Sequence, residues 1–104
     1  MDCGHIICCQ KAIKAAVDDS DRAGEWGEYK CDTSLKSLRS MMQFVKEDLN
    51  PDVVIWLGDS VPHNFDALSK EEIVKIMREV TSIFEEFFGT RMVYPSIGNH
   101  DTYP

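Results

Sequence analysis

The chain has 104 residues, 43% of them hydrophobic and 28% charged, a composition that fits one globular domain with a modest core. Its formal net charge of −7, with no run of Lys or Arg, excludes the electrostatic footprint of a nucleic-acid binder. No apolar stretch nears the roughly 18 to 20 residues that cross a bilayer, and Met1-Asp2-…-Ile6-Ile7 lacks the basic and apolar regions of a secretory signal, so neither is expected within the chain.

Residues 1–33 read as an irregular, cysteine-rich segment, punctuated by Gly4, Gly24 and Gly27, with room for a short helix over Lys11 to Val17. Cys3, Cys8 and Cys9 fall within seven residues, and Cys31 stands alone. Zinc ligands usually come as two close pairs, so a disulfide framework is expected ahead of a zinc site or free thiols. Neighbouring Cys8 and Cys9 make a strained ring. The expected pairing is Cys3 with Cys8 and Cys9 with Cys31.

Residues 34–104 read as the domain proper, though an incomplete one. Leu35, Leu38, Met41, Met42, Val45 and Leu49 recur at helical spacing, with Asp32 or Thr33 as candidate caps and Asn50-Pro51 as the stop. Val53 to Leu57 is a β-branched run without polar alternation, which predicts a strand buried on both faces. Ser69 with Glu72 predicts a capping box. It opens a helix along Ile73, Ile76, Met77, Val80, Ile83, Phe84 and Phe87, and Gly89 closes it. Met92 to Pro95 predicts a second strand. Helix, strand, helix, strand with connections of crossover length implies an α/β unit with parallel strands. Trp26, Trp56 and the Phe84, Phe87, Phe88 group are expected in packing.

Two polar clusters follow the two strands: Gly58-Asp59-Ser60-Val61-Pro62-His63 and Gly98-Asn99-His100-Asp101. Loops at the C-terminal ends of parallel strands are where open α/β sheets carry their sites. Asp, Asn and His offer hard oxygen and borderline nitrogen donors to divalent cations, and a carboxylate can bridge two ions. Gly-Asp alone is a common turn; Gly-Asn-His-Asp after a strand is more specific.

With these motifs the sequence resembles the calcineurin-like metallophosphoesterases, and within them the acid sphingomyelinase branch. The features that carry the likeness are Cys3, Cys8-Cys9, Trp26-Gly27-Glu28-Tyr29, Cys31-Asp32, Pro51-Asp52, Asp59 with His63, and Gly98-Asn99-His100-Asp101. The resemblance implies a partial metallophosphoesterase fold with a disulfide-tied N-terminal segment, and two divalent metal ions, normally zinc. Asp59 would bridge the ions and Asn99 would bind one of them. His100 would contact the phosphoryl oxygen or protonate the leaving group, beside which His63 would also lie. Asp101 would orient the His100 imidazole, and His5 would have no ligand role. The substrate implied is a phosphodiester lipid, sphingomyelin, split to ceramide and phosphocholine, with peripheral membrane contact and a secreted or lysosomal full-length protein.

The same resemblance calls for an Asp-x-His motif before Cys3 and histidine motifs after Pro104, so the chain by itself is expected to be inactive. A nucleotide phosphodiesterase of the same fold and a non-catalytic truncated product are the alternative readings.

Overall fold

The computed structural model describes residues 24, 26–29, 31–63, 65 and 68–102. The expected helix over Lys11 to Val17, His5, and Cys3, Cys8 and Cys9 lie outside the described residues.

Helix α1 spans Leu35–Phe44, continues as a π-helical turn over Val45–Leu49, and ends at Asn50 in the left-handed region, φ 46°. Asparagine is one of the few residues that accept that conformation at low cost. Its N–H closes the turn on the Val45 carbonyl at 2.9 Å, so chain reversal comes one residue before the proline. The cap is Ser34, whose hydroxyl accepts from the Ser37 N–H at 3.1 Å, rather than Asp32 or Thr33. Both Asp32 oxygens are engaged elsewhere, on His63. Leu38, Met42 and Val45 face the core, whereas Met41 and Leu49 face solvent.

Strand β1, Val53–Trp56, pairs in parallel with β2, Met92–Pro95, with Val53 opposite Met92 and Trp56 opposite Pro95. Arg91 fixes the entry to both strands, because its guanidinium donates to the Pro51 carbonyl and the Asn50 side-chain oxygen. At the other end the Ser96 N–H donates to the Trp56 carbonyl at 2.7 Å. The ladder stops there, one residue short of the expected strand end at Leu57.

Helix α2, Lys70–Phe88, makes the crossover between the strands. Its stripe of Val80, Ile83, Phe84 and Phe88 forms the core with Met42, and Val54, Trp56 and Val93 of the sheet pack onto it. Trp56 stacks on Phe84 with ring centroids 4.4 Å apart. An Arg39–Glu86 ion pair joins the exposed flanks of the two helices.

The helices cover one sheet face only. Val54, Trp56 and Val93 point to them, while Val53, Ile55, Met92 and Tyr94 on the opposite face are exposed, Ile55 to 69%. Strand side chains alternate in direction, so a single covering layer leaves every second residue open. The expectation that β1 is buried on both faces is thus corrected for the described residues. Trp26 likewise stands 60% exposed rather than packed, with the Lys36 ammonium 4.9 Å above its ring centroid.

The capping box of α2 is complete. Ser69 Oγ accepts from the Glu72 N–H, and Glu72 Oε2 accepts from the Ser69 N–H and hydroxyl, both at 2.8 Å. Those bonds hold the Glu72 carboxyl below its ordinary value of 4.5. A depressed carboxyl stabilises the fold fully above its unfolded value, and the contribution is lost as pH falls through the lower folded value. Amide protection in the first turn of α2 should therefore fall as pH drops below 4.5, and Glu72→Gln should remove that dependence. Ser69→Ala should cost about 1 kcal/mol at neutral pH in a denaturant titration.

Candidate active site

Both polar clusters leave the C-terminal ends of the paired strands, and their backbones touch. Gly58 has φ 87°, and a Cβ built on it would stand 2.1 Å from the Gly98 nitrogen. A Cβ on Gly98 would meet Asp59 Oδ1 at 2.1 Å and the Asp59 nitrogen at 2.4 Å. Both glycines are thus required by close approach, and Gly58 also by its left-handed backbone. Asp59 itself sits at φ 53°, a conformation that aspartate tolerates better than most side chains.

Two carboxylates stitch the loops together. Asp101 Oδ2 accepts from the N–H groups of Asp59 at 2.8 Å and Gly98 at 2.9 Å, and its Oδ1 accepts from the Ser60 N–H at 2.9 Å. In return, Asp59 Oδ1 accepts from the His100 N–H at 3.0 Å. The resemblance gives Asp101 the task of orienting the His100 imidazole. Its hydrogen bonds go instead to backbone N–H groups of both loops, because the short 3₁₀ turn over His100–Thr102 folds its carboxylate back over them.

Reciprocal stitching leaves donors facing outward. Asp59 is exposed, and among the described residues its Oδ2 makes no hydrogen bond. The Asn99 side chain is exposed as well, and among the described residues only its backbone oxygen is engaged, by the Thr102 hydroxyl at 3.1 Å. A carboxylate oxygen and an amide oxygen on adjacent loops fit a hard divalent cation in type. In number they do not complete a site: among the described residues no group of three or more His, Cys, Asp or Glu side chains converges on a metal-sized gap.

The two histidine rings lie together. The His63 and His100 rings meet edge to face with centroids 4.7 Å apart, and Phe65 lies against His100 at 4.9 Å. Asp32 holds His63 twice, Oδ1 lying 2.6 Å from Nδ1 and Oδ2 accepting from the His63 N–H at 3.1 Å. Asp32 and Phe65 are the neighbours that motif reading passed over. For Asp32 the available signal was its place in the Cys31-Asp32 pair; for Phe65 no spacing rule points to it. Cys31 is disulfide-bonded, and the Cys9 that the sequence pairs with it lies outside the described residues.

The calcineurin-like phosphoesterase family matches residues 5–104. The chain belongs to that family. Over 106 residues it is 35% identical to sphingomyelin phosphodiesterase B of Dictyostelium discoideum, covering 99% of this chain and 16% of the relative. Over 104 residues it is 32% identical to the sphingomyelin phosphodiesterase of Homo sapiens, covering 99% and 16%. A cyclic GMP-AMP phosphodiesterase of Bos taurus is 28% identical over 102 residues, covering 96% and 22%. The chain therefore spans about a sixth to a fifth of the length of these relatives. Calcineurin-like phosphoesterases work with divalent metal ions, in keeping with the oxygen donors at Asp59 and Asn99.

If Asp101 joins the loops, Asp101→Asn should speed amide exchange at Asp59, Ser60 and Gly98 together, by about thirtyfold for a loss of about 2 kcal/mol. Gly98→Ala should do the same by driving Asp59 away. Asn99→Ala, whose side chain takes no part in the stitching, should leave those rates unchanged.

Proposed function

We propose that the full-length protein is a metal-dependent phosphodiesterase that hydrolyses sphingomyelin to ceramide and phosphocholine. The observation that supports the reading is the joining of the two strand-end loops through Asp101 and Asp59, together with the contact between the His63 and His100 rings. The similarity to sphingomyelin phosphodiesterases over 99% of the chain supports the choice of substrate.

In this reading Asp59 and Asn99 would hold divalent ions, zinc by the branch resemblance. Divalent ions held there would supply charge neutralisation of the phosphodiester and a water nucleophile competent near neutral pH. The chain's own residues do the rest. Asp101 keeps the two donors on one frame, and the imidazoles of His63 and His100 supply a donor to the phosphoryl oxygen and a proton to the departing oxygen. Phe65 restricts the tilt of the His100 ring.

The four cysteines support a secreted or lysosomal location, since disulfides persist in oxidising compartments, and a lipid substrate implies peripheral contact with a membrane. Among the described residues no helix is long and apolar enough to cross one. A second reading, a nucleotide phosphodiesterase on the same frame, is favoured by the similarity to the cyclic GMP-AMP phosphodiesterase. The 104-residue chain alone, with two of the ligands, is expected to hydrolyse neither substrate.

The test is to assay the full-length protein with sphingomyelin and with a cyclic dinucleotide side by side, before and after chelation. Release of phosphocholine that chelation abolishes and zinc restores is the expected result. Asp59→Asn should reduce it by more than about a hundredfold, the upper end for a mere outer-shell partner. Turnover of the dinucleotide alone would move the assignment to the second reading, and turnover that chelation leaves intact would refute both.

A further inference from the structure

His100 carries a ring without a polar anchor. Its backbone N–H donates to Asp59 Oδ1 at 3.0 Å, which sets where the residue stands. The direction of the imidazole is a separate matter, because the second side-chain torsion of histidine is broad and needs a neighbour to select one orientation. Among the described residues neither ring nitrogen makes a hydrogen bond. The carboxylate next along the chain is taken, since Asp101 accepts from the N–H groups of Asp59, Ser60 and Gly98. What the imidazole does touch is two other rings. His63 meets it edge to face at 80° with centroids 4.7 Å apart, and Phe65 lies tilted by 36° at 4.9 Å.

Phe65 is itself held by its backbone. Its N–H donates to the Pro62 carbonyl, and its carbonyl accepts from the Leu68 N–H, both at 3.1 Å. That turn sets positions 63 and 65 of the loop after β1 against one ring of the loop after β2. His63 is tied in turn to Asp32, so neither contact rests on a free side chain. Both centroid distances fall in the range where aromatic rings attract each other beyond simple burial.

We infer that Phe65 is the positioning residue for His100: its ring, together with the edge of His63, sets the direction of the imidazole, the task that the resemblance assigns to Asp101. The inference rests on the phosphodiesterase reading given above and adds to it the side chain on which the aim of His100 depends. An apolar holder differs chemically from a carboxylate. A carboxylate occupies one ring nitrogen and fixes its hydrogen, whereas a phenyl ring fixes the plane and leaves either nitrogen able to donate to a phosphoryl oxygen. The aim matters to the rate, because a misplacement of about 1 Å near the reacting atoms costs about a hundredfold in the extreme.

The experiment uses the full-length protein with labelled histidine and sphingomyelin as substrate. In wild type the carbon-bound ring protons of His100 should be displaced by the ring current of Phe65, and protons at their free-histidine positions would overturn the inference before any variant is made. Phe65→Leu should move those signals back and lower kcat by about tenfold, the worth of one aromatic pair, with KM and bound metal unchanged. Phe65→Tyr, which keeps the ring, should recover most of the rate and of the displacement. On a His100→Ala background, Phe65→Leu should cost nothing further. Amide exchange at Asp59, Ser60 and Gly98 separates this role from the joint at Asp101, and Phe65→Leu should leave it as in wild type. A loss that persists on the His100→Ala background, or that comes with faster exchange at those three amides, would make Phe65 a structural residue and overturn the inference. Full activity in Phe65→Leu would do the same. If the wild type hydrolyses neither sphingomyelin nor a cyclic dinucleotide, the phosphodiesterase reading fails, and the ring-proton positions alone decide the place of Phe65.

Discussion

One carboxylate joins the two halves of the site. Asp101, near the end of the described chain, accepts hydrogen bonds from the N–H groups of Asp59 and Ser60 after β1 and of Gly98 after β2. Each donor is a backbone group at the C-terminal end of a strand, where the ladder has ended and its N–H groups need partners. A single charged side chain meets that need for both loops at once. The return bond from the His100 N–H to Asp59 Oδ1 makes the joint reciprocal. Without it, Asp59 and Asn99 would be two polar residues on two independent loops.

The rest of the fold serves that joint. Parallel pairing of Val53–Trp56 with Met92–Pro95 brings the strand ends level, and Arg91 fixes their beginnings by bonding Pro51 and Asn50. Trp56 and Val93 of the sheet pack against the core that Phe84 and Phe88 of the α2 crossover form. The contact between Gly58 and Gly98 then allows two backbones to approach where any side chain would hold them apart. Placing the donors is thus a matter of packing and backbone geometry, and the chemistry expected of Asp59, Asn99, His63 and His100 follows from where they are put.

What could be read from the sequence, and what could not, divides by range of interaction. The capping box of Ser69 and Glu72, the α2 stripe and both strands follow from patterns within a few residues, and the structure has them at nearly the expected places. The polar clusters were legible for the same reason, as short motifs after apolar runs. The use of Asp101 as a staple and of Asp32 as the holder of His63 was not, since each joins positions 31 to 42 residues apart through backbone or ring nitrogens that leave no periodic trace. The cap of α1 at Ser34 was missed because Asp32 is a good cap by type and is taken by a distant partner. The run Val53 to Leu57 suggested two-sided burial on composition alone, whereas in the described residues one layer of helices covers one face.

The central claim is that the two joined loops offer their free oxygens to one and the same cation position. Paramagnetic manganese(II) added in sub-stoichiometric amounts to the 104-residue chain tests it directly, since broadening of amide signals reports even weak binding at short range. The expected result is that Asp59, Ser60 and the residues from Gly98 to Asp101 broaden together ahead of the many other acidic positions of this −7 chain. Broadening of one loop without the other, or scattered evenly over the acidic surface, would contradict the account.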